Sequence, residues 1–309
     1  MTANPPPTAA PEISEVAPAQ EAPKPLEEAP AEVKLTVEEE PQNDLTRKFT
    51  EAEWAKVKEL RTTLPLIFEE AFKGKENPQA PVDLWGVNVD PARVDDARVS
   101  VILVKFLRAR NLNVEEAGKM LTSTLKWREE YKAAETADEE FPQDVFGGIG
   151  FVAGRDKEGR PITYNVYGGN KDLKAVFGDF DRFMRWRVGL MEKGLKLIDF
   201  ETVDSMVQVH DYEGVGMGSR DANSKRAASE ATKIFGDYYP ELLHKKFFVN
   251  VPIFMTWIFW LFKAIVPAAT FGKLQVVGTG PSTIGKEMLK IVDKDQLPKK
   301  YGGEAEALQ

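Results

Sequence analysis

Two side chains at the end of one apolar segment could perform chemistry together. Residues 205–213 read SMVQVHDYE, and turn-forming residues bound the β-rich centre from Met206 to Val209, which is typical of a buried strand. Side chains alternate between the two faces of a strand, so His210 and Tyr212 should project from the same side. This spacing predicts a hydrogen bond from the Tyr212 phenol to the His210 imidazole.

A histidine and tyrosine in this arrangement have two interpretations. A phenol beside a good proton acceptor loses its proton more readily than its ordinary pKa of about 10 allows, and a tyrosinate is a known axial ligand of ferric haem. A lone His-x-Tyr at a strand end is more often a satisfied polar pair at the edge of a core. The spacing of His210 and Tyr212 alone favours the second, structural role.

Composition limits the classes of chemistry that remain. The chain has 309 residues, of which 42% are hydrophobic, so it can bury a sizeable core. It contains no cysteine and two histidines, which excludes thiolate chemistry and disulfides and argues against a His-rich zinc site. The first residues, MTANPPPTAAPE, lack the basic start and apolar run of a secretory signal, so the cytosol is the expected compartment.

The net charge of -8 is concentrated in residues 1–46. This segment holds ten of the 49 acidic and two of the 41 basic residues, which leaves 39 of each sign in the rest of the chain. A neutral body argues against nucleic-acid binding, which normally requires a basic face. The same segment contains nine of the twenty prolines and no aromatic residue, a composition that predicts a disordered acidic tail.

Hydrophobic periodicity divides the remaining chain into two lobes. The first, residues 47–137, is a small helical lobe with helices predicted at 49–71, interrupted at Pro65, and at 96–109 and 114–132. In the second, residues 138–309, strands and helices alternate, which implies crossover connections and an α/β fold with a mainly parallel sheet. Strands are predicted at 161–167, 205–211, 247–251 and 274–277, and helices at 180–198, 223–238, 253–265 and 282–292.

The helix predicted at 253–265 is unusually apolar. Its unbroken apolar run is about ten residues long and is interrupted by Lys263, whereas a bilayer-spanning helix needs about twenty. Aromatic and aliphatic side chains cover most of its circumference, which is more than packing on one sheet face requires. The helix is therefore either fully buried or a mobile lid over an apolar cavity that also contacts a membrane surface.

Several polar residues have surface roles by default. Glu241, after a Tyr-Pro pair, and Lys273, before the last strand, are typical of solvated positions. Arg182, Arg185 and Arg187 crowd one helix, and such a cluster is more often a solvated face than a site. Arg185 could pair with a propionate or a phosphate if it points inward.

Five separated segments resemble the CRAL-TRIO family of lipid-transfer proteins. Residues 104–130, VKFLRARNLNVEEAGKMLTSTLKWREE, are similar to the helical signature that precedes the lipid-binding domain of this family. RPITYNVYG, HDYEGVG, YYPELLHKKFFVNVP and LPKKYGG are similar to segments of the lipid-binding domain itself. The match runs from about residue 49 to residue 303, and LWGV together with VHDY resembles a fungal branch of phosphatidylinositol transfer proteins.

This resemblance implies an apolar pocket, floored by the sheet, that encloses one phospholipid beneath helix 253–265 as a gate. It carries the family's inositol-phosphate contacts onto Glu241 and Lys273. Members that also transfer phosphatidylcholine have small hydroxyl residues where this chain has Met206 and Gln208, so we do not expect phosphatidylcholine transfer.

The same branch is similar to proteins that bind haem b through a tyrosine. The resemblance carries the ferric axial ligand onto Tyr212, with His210 as its hydrogen-bond partner. It also makes Tyr164, Arg185 and Lys246 candidate pocket residues, with Tyr167 close to Tyr164 in the sequence.

The leading hypothesis is therefore a non-enzymatic carrier that transfers phosphatidylinositol between membranes and so regulates phosphoinositide homeostasis. The alternative is a haem protein for sensing, storage or the response to oxidants, and a third possibility is a passive tether that binds lipid without transferring it. The expected location is the cytoplasm, with peripheral association with endoplasmic reticulum or microsomal membranes.

Overall fold

A computed structural model describes residues 40–93, 95–169, 172–216, 222–252 and 271–309. These residues belong to one unit that spans positions 37–309. The predicted gate helix at 253–265 and the predicted disordered tail as far as residue 39 lie outside the described residues. In the part of the chain that is described, every helix is too short or too polar to cross a bilayer.

The N-terminal lobe is built from four helices: α1 (Glu51–Thr62), α2 (Leu64–Ala71), α3 (Ala97–Ala109) and α4 (Val114–Tyr131). A capping box starts α1, because the Thr50 side chain accepts from the Glu53 backbone N–H while the Glu53 carboxylate accepts from the Thr50 N–H. Pro65 lies in the first turn of α2, where no intrahelical donor is required. The predicted interruption at Pro65 is confirmed.

A tight hairpin follows, formed by β1 (Val82–Leu84) and β2 (Val87–Val89). Its two turn residues, Trp85 and Gly86, have φ values of 61° and 84°, as a two-residue hairpin turn requires. The turn buries the Trp85 ring against Phe106, at a centroid distance of 5.6 Å, and against Phe200, at 6.2 Å. The hairpin thus fixes an aromatic side chain onto the body.

Residues 40–46, which the sequence assigns to the tail, pack on this lobe. Glu40 forms a buried ion pair with Arg61 of α1. Asn43 donates from Nδ2 to the backbone carbonyl of Phe200 at 3.0 Å. These contacts attach the end of the acidic segment to the body.

The second lobe contains a five-stranded sheet. Its strands, in spatial and chain order, are β3 (Gly150–Arg155), β4 (Pro161–Val166), β5 (Met206–Asp211), β6 (Leu243–Val249) and β7 (Leu274–Val276). β3 pairs antiparallel with β4 and all the other pairs are parallel. The α-helices among the described residues of this lobe are α5 (Gln143–Phe146), α6 (Leu173–Gly178), α7 (Phe180–Leu195), α8 (Ala222–Tyr238) and α9 (Pro281–Met288). The predicted α/β class with a mainly parallel sheet is confirmed.

The two faces of this sheet differ in chemistry. One face belongs to a closed apolar core that includes residues of α9 and the C-terminal segment, among them Ile284 and Tyr301. We call the other the polar face, because the strand register places five polar side chains and one phenylalanine on it in adjacent rows: Thr163, Gln208 and Lys246, then Asn165, His210 and Phe248.

α7 lies along the polar face. A Cβ on Gly194 would lie 2.9 Å from the Thr163 side chain, so the missing side chain allows close approach of helix and sheet. One turn earlier, the Met191 sulfur accepts from Gln208 Nε2 at 3.6 Å. The next residue on this helical face is Arg187, which therefore lies near the row of Asn165 and His210.

Candidate functional site

His210 and Tyr212 do share one side of the sheet, since both rings contact Phe248, with centroid distances of 5.5 and 6.4 Å. The hydrogen bond of His210 Nδ1, however, is made with the Tyr167 hydroxyl, at 3.1 Å. The predicted bond from Tyr212 to His210 is therefore wrong. β4 and β5 are parallel and end together, so the residue that follows β4 reaches the end of β5.

Burial sets the protonation of this group. It raises the pKa of Tyr212 well above its ordinary value, and Tyr167 raises it further. It lowers the pKa of His210 well below its ordinary value, and the charges of Lys246 and Arg187 add to the effect. The unliganded Tyr212 is therefore a neutral phenol, and a tyrosinate at this position requires a bound cation such as ferric iron to stabilise it.

Three of these side chains are only partly exposed at the same end of the sheet. Loss of solvation is the largest influence on the pKa of Tyr167, Tyr212 and Lys246, so each of their polar groups is largely surrounded by protein. Each residue nevertheless keeps part of its surface accessible. We take this end of the polar face, beside the ends of β4 and β5, as the candidate ligand site.

Arg187, and not Arg185, is the arginine at this end of the polar face. Arg187 is 3% exposed, and its guanidinium carbon lies 4.5 Å from the centroid of the Phe235 ring. Arg185 instead pairs with Glu139 at 2.7 Å on a partly exposed surface and donates to a backbone carbonyl. Two residues along a helix turn the side chain by roughly 200°, so these arginines point to opposite sides. Phe183 and Met191, four residues before and after Arg187, are buried and mark the inward stripe.

Tyr164 lies on the opposite face of the sheet from the candidate ligand site. It is fully buried in the closed core, where its ring stacks on Tyr301 at a centroid distance of 5.4 Å. The candidate pocket residue Tyr164 is therefore replaced by Tyr167. The alternation of β4 separates the two, because Thr163 and Asn165 take the polar face and Tyr164 takes the other.

Sequence reasoning missed Asn165. Its side chain is fully buried on the polar face, beside His210 in the strand register. Both its Nδ2 and its Oδ1, together with Nε2 of His210, have no hydrogen-bond partner among the described residues. A polar residue in phase with Thr163 within an otherwise apolar strand is the signal that could have identified it.

Lys246 carries positive charge into the same region. Its ammonium lies 5.6 Å from the centroid of the Phe248 ring, and burial together with the Arg187 charge lowers its pKa to about 7. Neither Lys246 nor Arg187 forms an ion pair within the described ranges. In those ranges, no group of three histidine and acidic side chains is placed to hold a bare metal ion.

The predicted pair Glu241 and Lys273 comes together at the other end of the sheet. Lys273 Nζ lies 2.7 Å from Glu241 Oε2, and both side chains are about 30% exposed. Glu241 adopts a φ of 54° in the turn before β6, and the buried Lys105 of α3 donates to its carbonyl at 2.9 Å and to Asp204 at 2.8 Å. The length of β5, at about 3.3 Å per residue, separates this pair from Tyr212 by roughly 20 Å.

This architecture, a helical lobe followed by a lobe with a mainly parallel five-stranded sheet, matches a known class of proteins. Residues 146–303 match the CRAL/TRIO domain, and residues 56–123 match the CRAL/TRIO N-terminal domain. The chain therefore belongs to the CRAL/TRIO family, as the sequence resemblance indicates.

Particular members of the family are closely similar. The chain is 37% identical over 278 residues to the phosphatidylinositol transfer protein SFH5 of Candida albicans, a match that covers 84% of this chain and 83% of that protein. It is 38% identical over 242 residues to the phosphatidylinositol transfer protein sfh5 of Neosartorya fischeri, covering 74% of this chain and 57% of that longer relative. A crystal structure of Sfh5 aligns with a TM-score of 0.71 at 30% identity, covering 83% of this chain and 89% of that chain. These relatives are named as transfer proteins, in agreement with the prediction of a non-enzymatic binding protein.

Proposed function

We propose that this protein binds phosphatidylinositol and transfers it between membranes, and that it contributes in this way to phosphoinositide homeostasis. The single observation that carries the proposal is the partly exposed ion pair of Glu241 and Lys273. A carboxylate accepts hydrogen bonds from inositol hydroxyls, and an ammonium binds phosphate. While no lipid is bound, the two side chains neutralise each other, so neither charge is left unpaired.

The polar face supports selectivity against phosphatidylcholine. Met206 is fully buried, and Gln208 is 6% exposed and donates to methionine sulfur, a weak acceptor. Neither position offers the small hydroxyl that the resemblance associates with choline lipids. We therefore expect phosphatidylinositol to be transferred and phosphatidylcholine not to be.

Transfer also requires a route into the apolar pocket that the resemblance implies. The aromatic segment at 253–265 is the proposed gate and the proposed point of contact with the membrane surface; it lies outside the described residues. We place the protein in the cytoplasm, in peripheral contact with endoplasmic reticulum or microsomal membranes.

The test is transfer of labelled phosphatidylinositol from donor to acceptor vesicles. Glu241→Ala and Lys273→Ala should each lose transfer while the circular dichroism spectrum stays that of the wild type. The matched control is Lys196→Ala, which removes an exposed ion pair with Asp138 of similar length, 2.8 Å. Wild-type transfer rates in both site variants would remove the headgroup assignment.

We propose, as a second candidate function, that the candidate ligand site binds haem b. The observation that favours it is the pair of cations, Arg187 and Lys246, beside the polar face. The acyl chains of a lipid have no charged group that could pair with these cations. A porphyrin has an apolar ring and two carboxylates that could pair with them. Tyr212 would hold the ferric iron and Arg187 and Lys246 would attract the carboxylates, while bound ferric iron would supply oxidant-sensitive chemistry suited to haem sensing or storage.

The absorption spectrum of the purified protein distinguishes the two candidate functions. A Soret band in the purified protein that disappears in Tyr212→Phe would support the haem candidate. Tyr164→Phe is the matched control, because the same change on the closed face should leave the band intact. Equal haem content in Tyr212→Phe and wild type would exclude Tyr212 as the ligand without affecting the lipid-transfer proposal.

A further inference from the structure

The unpartnered polar atoms of Asn165 and His210 form one compact group. The two residues occupy paired positions on β4 and β5, and neighbouring strands lie about 4.8 Å apart. Asn165 is 0% and His210 6% exposed, so ordinary solvent does not satisfy these atoms. Buried polar groups are nearly always hydrogen-bonded, because leaving one unpaired costs about 1–3 kcal/mol. Three such atoms at one place indicate a ligand group.

The hydrogen-bonding character of the group is mainly that of a donor site, with Asn165 Oδ1 as its one acceptor. When the Tyr167 hydroxyl donates to His210 Nδ1, the proton of the neutral ring resides on Nε2, which is then a buried donor without a partner among the described residues. The Asn165 amide adds two N–H donors at Nδ2. Arg187, from the helix above, and Lys246, from the next strand, add positive charge.

No carboxylate of the described residues pairs with these donors. The ion pairs of the described residues include neither Arg187 nor Lys246, and the charges that act on His210 are both positive. An uncompensated set of buried donors and cations attracts an anionic oxygen.

We infer that Asn165, with Nε2 of His210, forms a subsite that binds an anionic oxygen group of the bound ligand, either a carboxylate or a phosphate. The inference rests on the proposed function, because it concerns the same candidate ligand site. It adds Asn165 as a binding residue and states the chemistry that the buried end of the ligand must present. A porphyrin would supply a carboxylate there, whereas a phospholipid would supply a phosphate only if its headgroup lay at this end of the sheet and not at Lys273.

Two variants of Asn165 test this inference in the full chain. Asn165→Leu keeps the approximate size and removes both polar atoms, whereas Asn165→Asp keeps the shape and places a negative charge where the ligand's anion is expected. Thr163→Val is the control, since Thr163 lies on the same strand and face and its hydroxyl already has a distant contact at 3.5 Å with the Val207 carbonyl.

Binding is measured with two probes that differ in the source of the anion. Ferric haemin and its dimethyl ester are titrated by absorbance, and phosphatidylinositol transfer is measured between vesicles. If a carboxylate occupies the subsite, Asn165→Leu should weaken haemin about tenfold, Asn165→Asp should weaken it more, and the ester should bind all variants alike. If the phosphate of phosphatidylinositol lies here and not at Lys273, lipid transfer should fall in both Asn165 variants while haemin affinity stays constant.

The unfolding temperature of the unliganded protein gives an independent result. Removing unpartnered buried polar atoms should raise it in Asn165→Leu, whereas a purely structural asparagine would lower it on removal. The inference is overturned if Asn165→Asp binds both probes as the wild type does, or if both variants lower the unfolding temperature. A wild-type protein that binds neither probe would refute the proposed function, and the unfolding temperatures would still decide the role of Asn165.

Discussion

Replacing Arg187 with methionine should stabilise the unliganded protein and at the same time weaken its binding of anions. Arg187 is 3% exposed and has no ion pair or hydrogen bond within the described chain, only the face of Phe235 at 4.5 Å. A desolvated cation costs several kcal/mol, and a buried cation–π contact returns about 2 kcal/mol. Methionine fills similar space without charge, so we expect a net gain of about 1–3 kcal/mol.

At about 2–4 °C in the unfolding temperature for each kcal/mol, Arg187→Met should raise the unfolding temperature by roughly 2–12 °C. Urea denaturation and differential scanning calorimetry would measure the gain. Haemin titration of the same variant should show weaker binding.

Arg185→Met is the matched control on the same helix. Arg185 is partly exposed and paired with Glu139, so its removal should cost at most about 1 kcal/mol and leave ligand binding unchanged. Our reasoning would be refuted if Arg187→Met lowered the stability of the unliganded protein by more than this control, since Arg187 would then be a structural residue.

Two further predictions concern buried charges. Arg128→Met should lower the free energy of unfolding by about 3–5 kcal/mol in urea denaturation, because Arg128 donates to the buried Glu192 carboxylate through hydrogen bonds of 2.7 and 3.0 Å. If stability recovers when Glu192→Met is added, the loss comes from the unpaired carboxylate. An equally unstable double variant would argue against this explanation. The pKa of Lys246 is lowered from 10.5 to about 7 in the folded protein, so between these pH values the unfolded chain binds more protons than the folded one. The free energy of unfolding should therefore rise as the pH increases from 7 toward 10.5. Lys246→Met should flatten this part of the profile of stability against pH, and an unchanged profile would contradict a buried amine.

Strong periodicity made most of the fold predictable from the sequence. The helices of the N-terminal lobe and strands β4, β5 and β7 lie within a few residues of their predicted positions. β3 was missed because GFVAGR is short, contains two glycines and shows weak alternation. β6 begins four residues earlier than predicted, at Leu243, because His244, Lys245 and Lys246 resemble a loop in the sequence but extend a buried parallel strand.

The site was predictable only where local periodicity governs it. The two-residue alternation of a strand correctly placed His210 and Tyr212 on one side of the sheet. Tyr167 comes after the last residue of β4, where this alternation no longer applies, so the pattern could not show that Tyr167 contacts His210. Arg185 was predicted to be the inward arginine, but the helical period places the side chains of Arg185 and Arg187 on opposite sides of α7, and Arg187 is the buried one. The contact between Glu241 and Lys273 joins residues 32 positions apart, and local patterns carry no information about such a contact.

The lysine at position 105 makes the helical lobe indispensable to the headgroup end of the sheet. Its ammonium, 1% exposed, enters from α3 and bonds both Asp204 and the carbonyl of Glu241, whose backbone is held in a left-handed conformation. In a chimera that combined this sheet with the helices of a distant relative, the Asp204 carboxylate would lose its cation and the Glu241 backbone would lose a hydrogen bond, unless the new helices also carried a cation at this position. Exchange of modules within the family is therefore constrained by a single buried amine.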